Sequence, residues 1–213
     1  MKNLFYICFS LLLILSACDL NSESQEQNSD SQVEQEQTKN DQEDNESKDR
    51  DLFGMGDFEI LKEKTDIGTY KIGPISLVIK SIAVERGELN NISEILQERL
   101  PKGEIEVIEV LMTMTSERKD IEFTQDNFQL TTDAGEHFNK PEGLMSTALN
   151  SDFAYTDSET GSGDYYVTVS YILGQSKAEA LEEVEFHVKA PTDSNGESLG
   201  EDIHTTIPIL PVE

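Results

Sequence analysis

The chain has 213 residues, with 43 Asp or Glu against 16 Lys or Arg, so its formal net charge at pH 7 is −27. Because nucleic acids and anionic lipid surfaces are bound through clustered Lys and Arg, this charge argues against both as docking partners. We expect no nucleic-acid partner, and we interpret the acidic surface as a solvated exterior.

The N-terminus has the pattern of a secretory signal peptide. Lys2 precedes an apolar run over residues 4–15, and two small residues follow it. The apolar and small residues together number 14, whereas a membrane-spanning helix needs about 20 apolar residues. We therefore predict that residues 1–17 are a signal peptide.

The segment Leu15-Ser16-Ala17-Cys18 resembles the lipobox of bacterial lipoproteins, in which an aliphatic residue and two small residues precede the cysteine. The resemblance implies cleavage before Cys18 and a diacylglyceryl group on its thiol, which would anchor the protein at the extracellular face of the cell membrane. Cys8 lies in the removed part, so the mature chain would contain no second cysteine for a disulfide. The alternative is an ordinary secretory signal with a chance cysteine at its edge.

The next segment, residues 18–51, is predicted to be a disordered acidic linker. Residues 19–51 contain 12 Asp or Glu and three basic residues, and too few apolar side chains to form a core. At up to about 3.3 Å per residue, such a tether reaches on the order of 100 Å. It would hold a folded domain, residues 52–213, clear of the membrane.

Alternating apolar and polar residues predict β-strands in this domain. The pattern is clearest at residues 184–190, where apolar residues alternate with Glu185, His187 and Lys189. Further strands are predicted over residues 69–72, 75–85, 105–115, 128–132, 165–172 and 203–210. Many short strands separated by turns, with few helices, predict one antiparallel β-sandwich.

Two helices and one turn are predicted between the strands. Asn91 and Glu94 form a capping-box pattern for a short helix that ends at Leu100, before Pro101. A second helical turn is predicted over residues 177–182. The sequence Asp133-Ala134-Gly135 predicts a turn in which the glycine has a positive φ.

The order of features from residue 105 onward resembles the Ig-like, telokin-like domain of small lipoproteins from Gram-positive bacteria. The resemblance rests on residues 105–110, 121–123 and 128–136, and on the strand that ends at Ile172. It implies an Ig-like β-sandwich on the cell surface with no catalytic role and no particular ligand.

Catalytic motifs are absent from the sequence. It contains no HExxH, no GxSxG and no phosphate-binding glycine-rich loop. The histidines, His137, His187 and His204, are far apart, so a metal triad could assemble only through the fold. We expect His187, on the polar side of its strand, to be an ordinary surface histidine, and we predict neither an enzyme nor a bound cofactor.

Two acidic loops are candidate calcium sites, because Ca²⁺ prefers hard oxygen ligands on flexible loops. The first loop offers Asp157, Glu159 and Asp164. The second, which we prefer, offers Asp193, Asn195 and Glu197 around a glycine. The alternative for both is a solvated connection between strands.

A candidate contact surface lies in the weakly patterned segment 138–153. Its apolar residues Leu144, Met145 and Phe153 could contact a partner, or they could pack beneath the sheet. The sequence thus favours a membrane-anchored, non-catalytic binding or accessory module for a protein or cell-wall component. The alternatives are an extracellular calcium-binding protein that uses the acidic loops and, less favoured, an enzyme built from scattered carboxylates.

Overall fold

The computed structural model describes residues 49–51, 54–149 and 165–212. In these ranges two antiparallel β-sheets pack on each other as a sandwich. This confirms the predicted mainly β, antiparallel sandwich with very few helices. The predicted signal peptide, Cys18 and the linker up to residue 48 lie outside the described residues.

The described strands are, in chain order, β1 (Asp49–Asp51), β2 (Gly56–Ile72), β3 (Ile75–Leu89), β4 (Glu104–Ser116), β5 (Phe128–Thr132), β6 (His137–Phe138), β7 (Tyr165–Ile172), β8 (Glu183–Val188), β9 (Ile203–Pro208) and β10 (Leu210–Pro211). The larger sheet has the order β1-β2-β3-β4-β7, with β10 also paired to β2. The smaller sheet has the order β6-β5-β8-β9. Neighbouring strands in both sheets are antiparallel.

The hairpin of β2 and β3 is longer than the sequence pattern predicts. β2 begins at Gly56, and its unpredicted first part pairs with β1, which falls in the last residues of the predicted linker. The turn of the hairpin contains Gly73 at φ 56°, and a Cβ there would lie 2.1 Å from the carbonyl oxygen of Leu199. Only glycine allows this backbone approach, which holds the connection between β8 and β9 against the hairpin.

The main core lies between the two sheets. Phe186 of β8 and Phe128 of β5 are fully buried, and their rings stack with centroids 6.0 Å apart. The ring of Phe123 meets Phe128 edge-on at 5.4 Å. From the larger sheet, side chains such as Val110 and Met112 of β4 are also fully buried in this core. The inner face of β8 is therefore fixed by dense packing, and its alternate residues face outward.

The predicted helix between β3 and β4 is shorter than expected. The helix α1 covers only Glu94–Gln97, and its N-cap is Ser93 with no side-chain hydrogen bond, so the predicted capping by Asn91 is wrong. Asn91 instead donates its side-chain amide to the carbonyl oxygen of Gly54 at 2.7 Å. Ile95 of this helix is 75% exposed. The predicted second helical turn is a 3-10 turn at Ala178–Ala180.

The predicted turn after β5 is confirmed, since Gly135 has φ 84°. The next residue, Glu136, accepts hydrogen bonds from the backbone N–H groups of Gly174, Gln175 and Ser176 at 2.8, 3.0 and 2.7 Å. Although burial acts in the opposite direction, these donors hold the pKa of Glu136 below its usual range. This carboxylate joins the turn of the smaller sheet to the connection between β7 and β8.

We expect Glu136→Gln to lower the free energy of unfolding by about 1.5–3 kcal/mol at pH 7, because an amide cannot accept all three hydrogen bonds. The folded-state pKa of Glu136 is lowered, so its stabilisation is complete above the unfolded-state value and is lost as pH falls through the folded-state value. Urea unfolding is measured from pH 7 to pH 3. The free energies of unfolding of the wild type and of Glu136→Gln should become equal as the pH falls. The exposed Glu201, changed to Gln, is the control. A difference that does not depend on pH would contradict this role.

Candidate functional site

The outer face of the smaller sheet brings all three histidines of the chain together. His187 of β8 and His204 of β9 are direct register partners. His137 of β6 is paired with Thr131 of β5, whose other neighbour is Glu185 of β8. Because alternate residues of a strand point to the same side, these side chains all face outward. We call this surface the histidine face and define it by Gln129, Thr131, His137, Glu185, His187, His204 and Thr206.

His187 and His204 of the histidine face form one cluster with the adjacent Asp202. The two imidazole rings stack nearly in parallel, with centroids 4.0 Å apart and planes inclined by 14°. The Nε2 atom of His187 lies 3.0 Å from Oδ2 of Asp202. Among the His, Cys, Asp and Glu residues that the structure describes, these three bring one ligand atom each to within 4.8 Å of one another.

Neighbouring groups orient two of these three side chains. Oε1 of Gln129 lies 2.9 Å from Nδ1 of His187, while Nε2 of the same amide donates to the carbonyl oxygen of Asn139 at 3.3 Å. The amide oxygen can only accept, so Nδ1 of His187 carries a proton and Nε2 faces Asp202. The backbone N–H of Ala190 donates to Oδ1 of Asp202 at 2.8 Å and, with His187, holds the pKa of Asp202 below its usual range.

His137 belongs to a separate chain of hydrogen bonds on the same face. Its Nδ1 atom lies 2.8 Å from Oγ1 of Thr131, and its Nε2 atom lies 3.1 Å from Oδ1 of Asn139. The order hydroxyl, imidazole, amide is that of a nucleophile, its base and an orienting group. These contacts are exposed to solvent, so water competes with any activation of the hydroxyl. We therefore interpret them as contacts that fix the imidazole ring.

The histidine face is concave and polar. It surrounds a depression of about 390 Å³. This volume falls near the lower end of the range of about 300–1,000 Å³ that is typical of small-molecule sites. The side chains around it offer imidazole, hydroxyl, amide and carboxylate groups, while the apolar residues of β8 face the core. The face can hold a small polar ligand or a metal ion without any change in the core.

The predicted calcium ligands occupy one turn, where they bond to each other. Oδ1 of Asp193 accepts the backbone N–H groups of Asn195 and Glu197 at 2.8 and 2.9 Å. These donors, with that of Glu197 strongest, hold the pKa of Asp193 below its usual range. The carboxylate thus closes an Asx turn, which favours the alternative of a solvated connection. The first acidic loop, Asp157 to Asp164, lies outside the described residues.

The predicted contact surface is wrong at Met145, which is buried instead. It is fully buried in a second, smaller cluster with Phe58 and Val107 of the larger sheet, and Leu144 is partly buried against that cluster. Their loop covers the edge of β7, since the N–H of Thr147 donates to the carbonyl oxygen of Thr168 at 2.8 Å. An uncovered strand edge invites unwanted pairing, so this loop has a structural task.

Phe153, the third predicted contact residue, and Cys18 lie outside the described residues. None of the helices in residues 54–149 and 165–212 is long and apolar enough to cross a membrane.

The sequence analysis missed the convergence of the histidines, although part of its signal was present. The alternation in β8 correctly placed His187 on the outer side, and His204 has the same phase in β9. The missing information was the register between the two strands. They are joined by the long connection 189–202, and only tight hairpins fix register from sequence.

Comparison with known proteins gives no family. No protein-family profile and no curated protein matches this chain. Among solved structures, the chain is similar to the crystal structure of a functionally unknown protein from Listeria monocytogenes EGD-e. The two share 14% sequence identity, the match covers 74% of this chain and 89% of that chain, and the TM-score is 0.45. No function follows for this chain from that likeness.

Proposed function

We propose that this chain is a lipid-anchored extracellular lipoprotein whose β-sandwich is a non-catalytic binding module, and that the histidine face is its binding surface. The anchor is supported by the lipobox-like sequence that ends at Cys18. The binding role is supported by one observation above all: residues as distant in sequence as His137 and His204 meet around one concave, outward-facing depression.

The stability of the fold does not explain this arrangement. The core of the smaller sheet is formed by inward residues such as Phe128 and Phe186, and the outward residues add no apolar burial to it. Stacked imidazoles within 4.0 Å give little stability at a surface and repel each other when both are protonated. Gln129 nevertheless holds one ring in a fixed orientation. Oriented polar groups around a depression are typical of ligand sites.

The experiment compares the reactivity of the histidines on intact cells and in purified protein. Diethyl pyrocarbonate acylates accessible, unprotonated imidazole, and mass spectrometry of peptides measures the rate at each histidine. If the face is occupied in its native setting, His187 and His204 should react several-fold more slowly on cells than in purified protein dialysed against EDTA. Additional protection of His137 would indicate a ligand that covers the whole depression.

The control is the same protein on cells that have been solubilised and dialysed, where the rates should rise to those of the purified protein. Equal rates for all three histidines on intact cells and in purified protein would refute the histidine face as the binding surface.

A further inference from the structure

We propose that His187, Asp202 and His204 bind a divalent transition-metal ion, for which zinc is the probe. This proposal rests on the proposed binding role of the histidine face and names the class of its ligand. The donor set contains two imidazole nitrogens and one carboxylate oxygen, which is a common set for zinc and for other divalent transition metals.

The distances allow a shared ion once the two rings turn out of their parallel stack, because an imidazole nitrogen binds a metal ion in the plane of its ring. The three ligand atoms lie within 4.8 Å of one another. Around a tetrahedral zinc, with bonds of about 2.0–2.1 Å, ligand atoms lie about 3.3 Å apart. The backbones of His187 and His204 are held by the pairing of β8 and β9, and Asp202 directly precedes β9. Only side chains therefore need to move, and the backbone can keep its position.

The hydrogen bonds around His187 and Asp202 are of the kind that hold metal ligands in position. A metal-binding histidine usually donates its second ring N–H to a carbonyl or carboxylate, which fixes the nitrogen that binds the metal. In this structure Oε1 of Gln129 accepts from Nδ1 of His187 and leaves Nε2 directed towards Asp202. The second oxygen of Asp202 is held by the N–H of Ala190. A bound ion would lie between Nε2 and the carboxylate.

The donor types distinguish this site from a calcium site. Ca²⁺ takes six to eight oxygen ligands, whereas imidazole nitrogen favours zinc, copper, nickel and iron. Three protein ligands leave at least one coordination position of the ion for water or for an exogenous group. The overall charge of the chain, −27 at pH 7, also favours binding of a cation.

Isothermal titration with zinc tests the proposal on the chain from residue 18 onward carrying Cys18→Ser, in which no thiol competes for the metal. We expect one zinc per chain. We expect Asp202→Asn and His204→Gln each to weaken zinc binding by about ten- to a hundred-fold. Glu201→Gln should bind like the parent chain, because this exposed carboxylate is next to Asp202 in sequence but outside the donor set. Calcium at millimolar concentration should give no comparable binding.

Thermal unfolding without metal separates loss of a ligand from loss of the fold. Asp202→Asn keeps an oxygen that can accept from Ala190, so its midpoint should lie close to that of the parent. At the same concentration, added zinc should raise the midpoint of the parent by several degrees and that of Asp202→Asn by clearly less. Absence of zinc binding by the parent chain, or an equal loss of zinc binding in Glu201→Gln, would overturn the metal site.

The two proposals can fail separately. If zinc does not bind but His187 and His204 are protected on intact cells even after an EDTA wash, the histidine face binds a different ligand and only the metal site is refuted. If EDTA restores the reactivity of both residues, the metal site is supported in its native setting. If neither protection nor zinc binding is found, both proposals fall.

Discussion

Phe186→Ala is expected to lower the free energy of unfolding by about 3–5 kcal/mol, the cost of removing a large aromatic side chain from a packed core. Phe186 is fully buried, and its ring stacks on Phe128 with centroids 6.0 Å apart. It lies in β8 directly beside His187, so the same packing holds the strand that positions the histidine face. Because domains are stable by about 5–15 kcal/mol in total, this loss is large.

Urea unfolding of the wild type and of Phe186→Ala at neutral pH measures the difference in their free energies of unfolding. The matched control is Tyr166→Ala, which also removes an aromatic ring from a strand but at a position that is 66% exposed. That change should cost no more than about 0.5 kcal/mol. Similar small losses for Phe186→Ala and Tyr166→Ala would mean that the two sheets do not share the core described.

Cys18→Ser is expected to move the protein from the membrane fraction to the soluble fraction. The thiol of Cys18 is the proposed attachment point for the diacylglyceryl group, and a hydroxyl does not replace it. Two acyl chains hold a protein stably, because each buried methylene contributes about 0.8 kcal/mol. Intact mass of the wild type should correspond to a chain that begins at Cys18 and carries the lipid.

The matched control is Cys8→Ser, which changes the other cysteine of the chain within the proposed signal peptide. This variant should remain in the membrane fraction with the same mature mass as the wild type. A wild type that is unlipidated and soluble would contradict the anchor, and the protein would then be a secreted domain.

The strands were predictable where one face is apolar and the other polar. In β8, Val184, Phe186 and Val188 face the core while Glu185 faces outward, as the alternation predicts. Residues 56–68 of β2 were missed: residues 56–60 alternate between buried and exposed, but that run is short, and residues 61–68 are half-buried or exposed without alternation. Partly exposed strands at the periphery of a sheet give weak sequence signals.

The remaining errors come from contacts that are distant in sequence. Met145 was predicted as a contact residue because it is apolar and lies in a weakly patterned segment. Its burial depends on β4, which is distant along the chain. The capping-box pattern at Asn91 was overridden when its side chain bonded to Gly54. The histidine cluster depends on the register of β8 and β9, which a long connection does not encode locally.

The most direct test of the proposed zinc site is anomalous diffraction at the zinc absorption edge from crystals of the protein soaked with zinc. The proposed site predicts one strong anomalous peak within about 2.0–2.2 Å of Nε2 of His187, a ring nitrogen of His204 and a carboxylate oxygen of Asp202. A strong peak at the turn of Asp193 and Glu197 with none at the histidine face, or no ordered zinc at all, would contradict it.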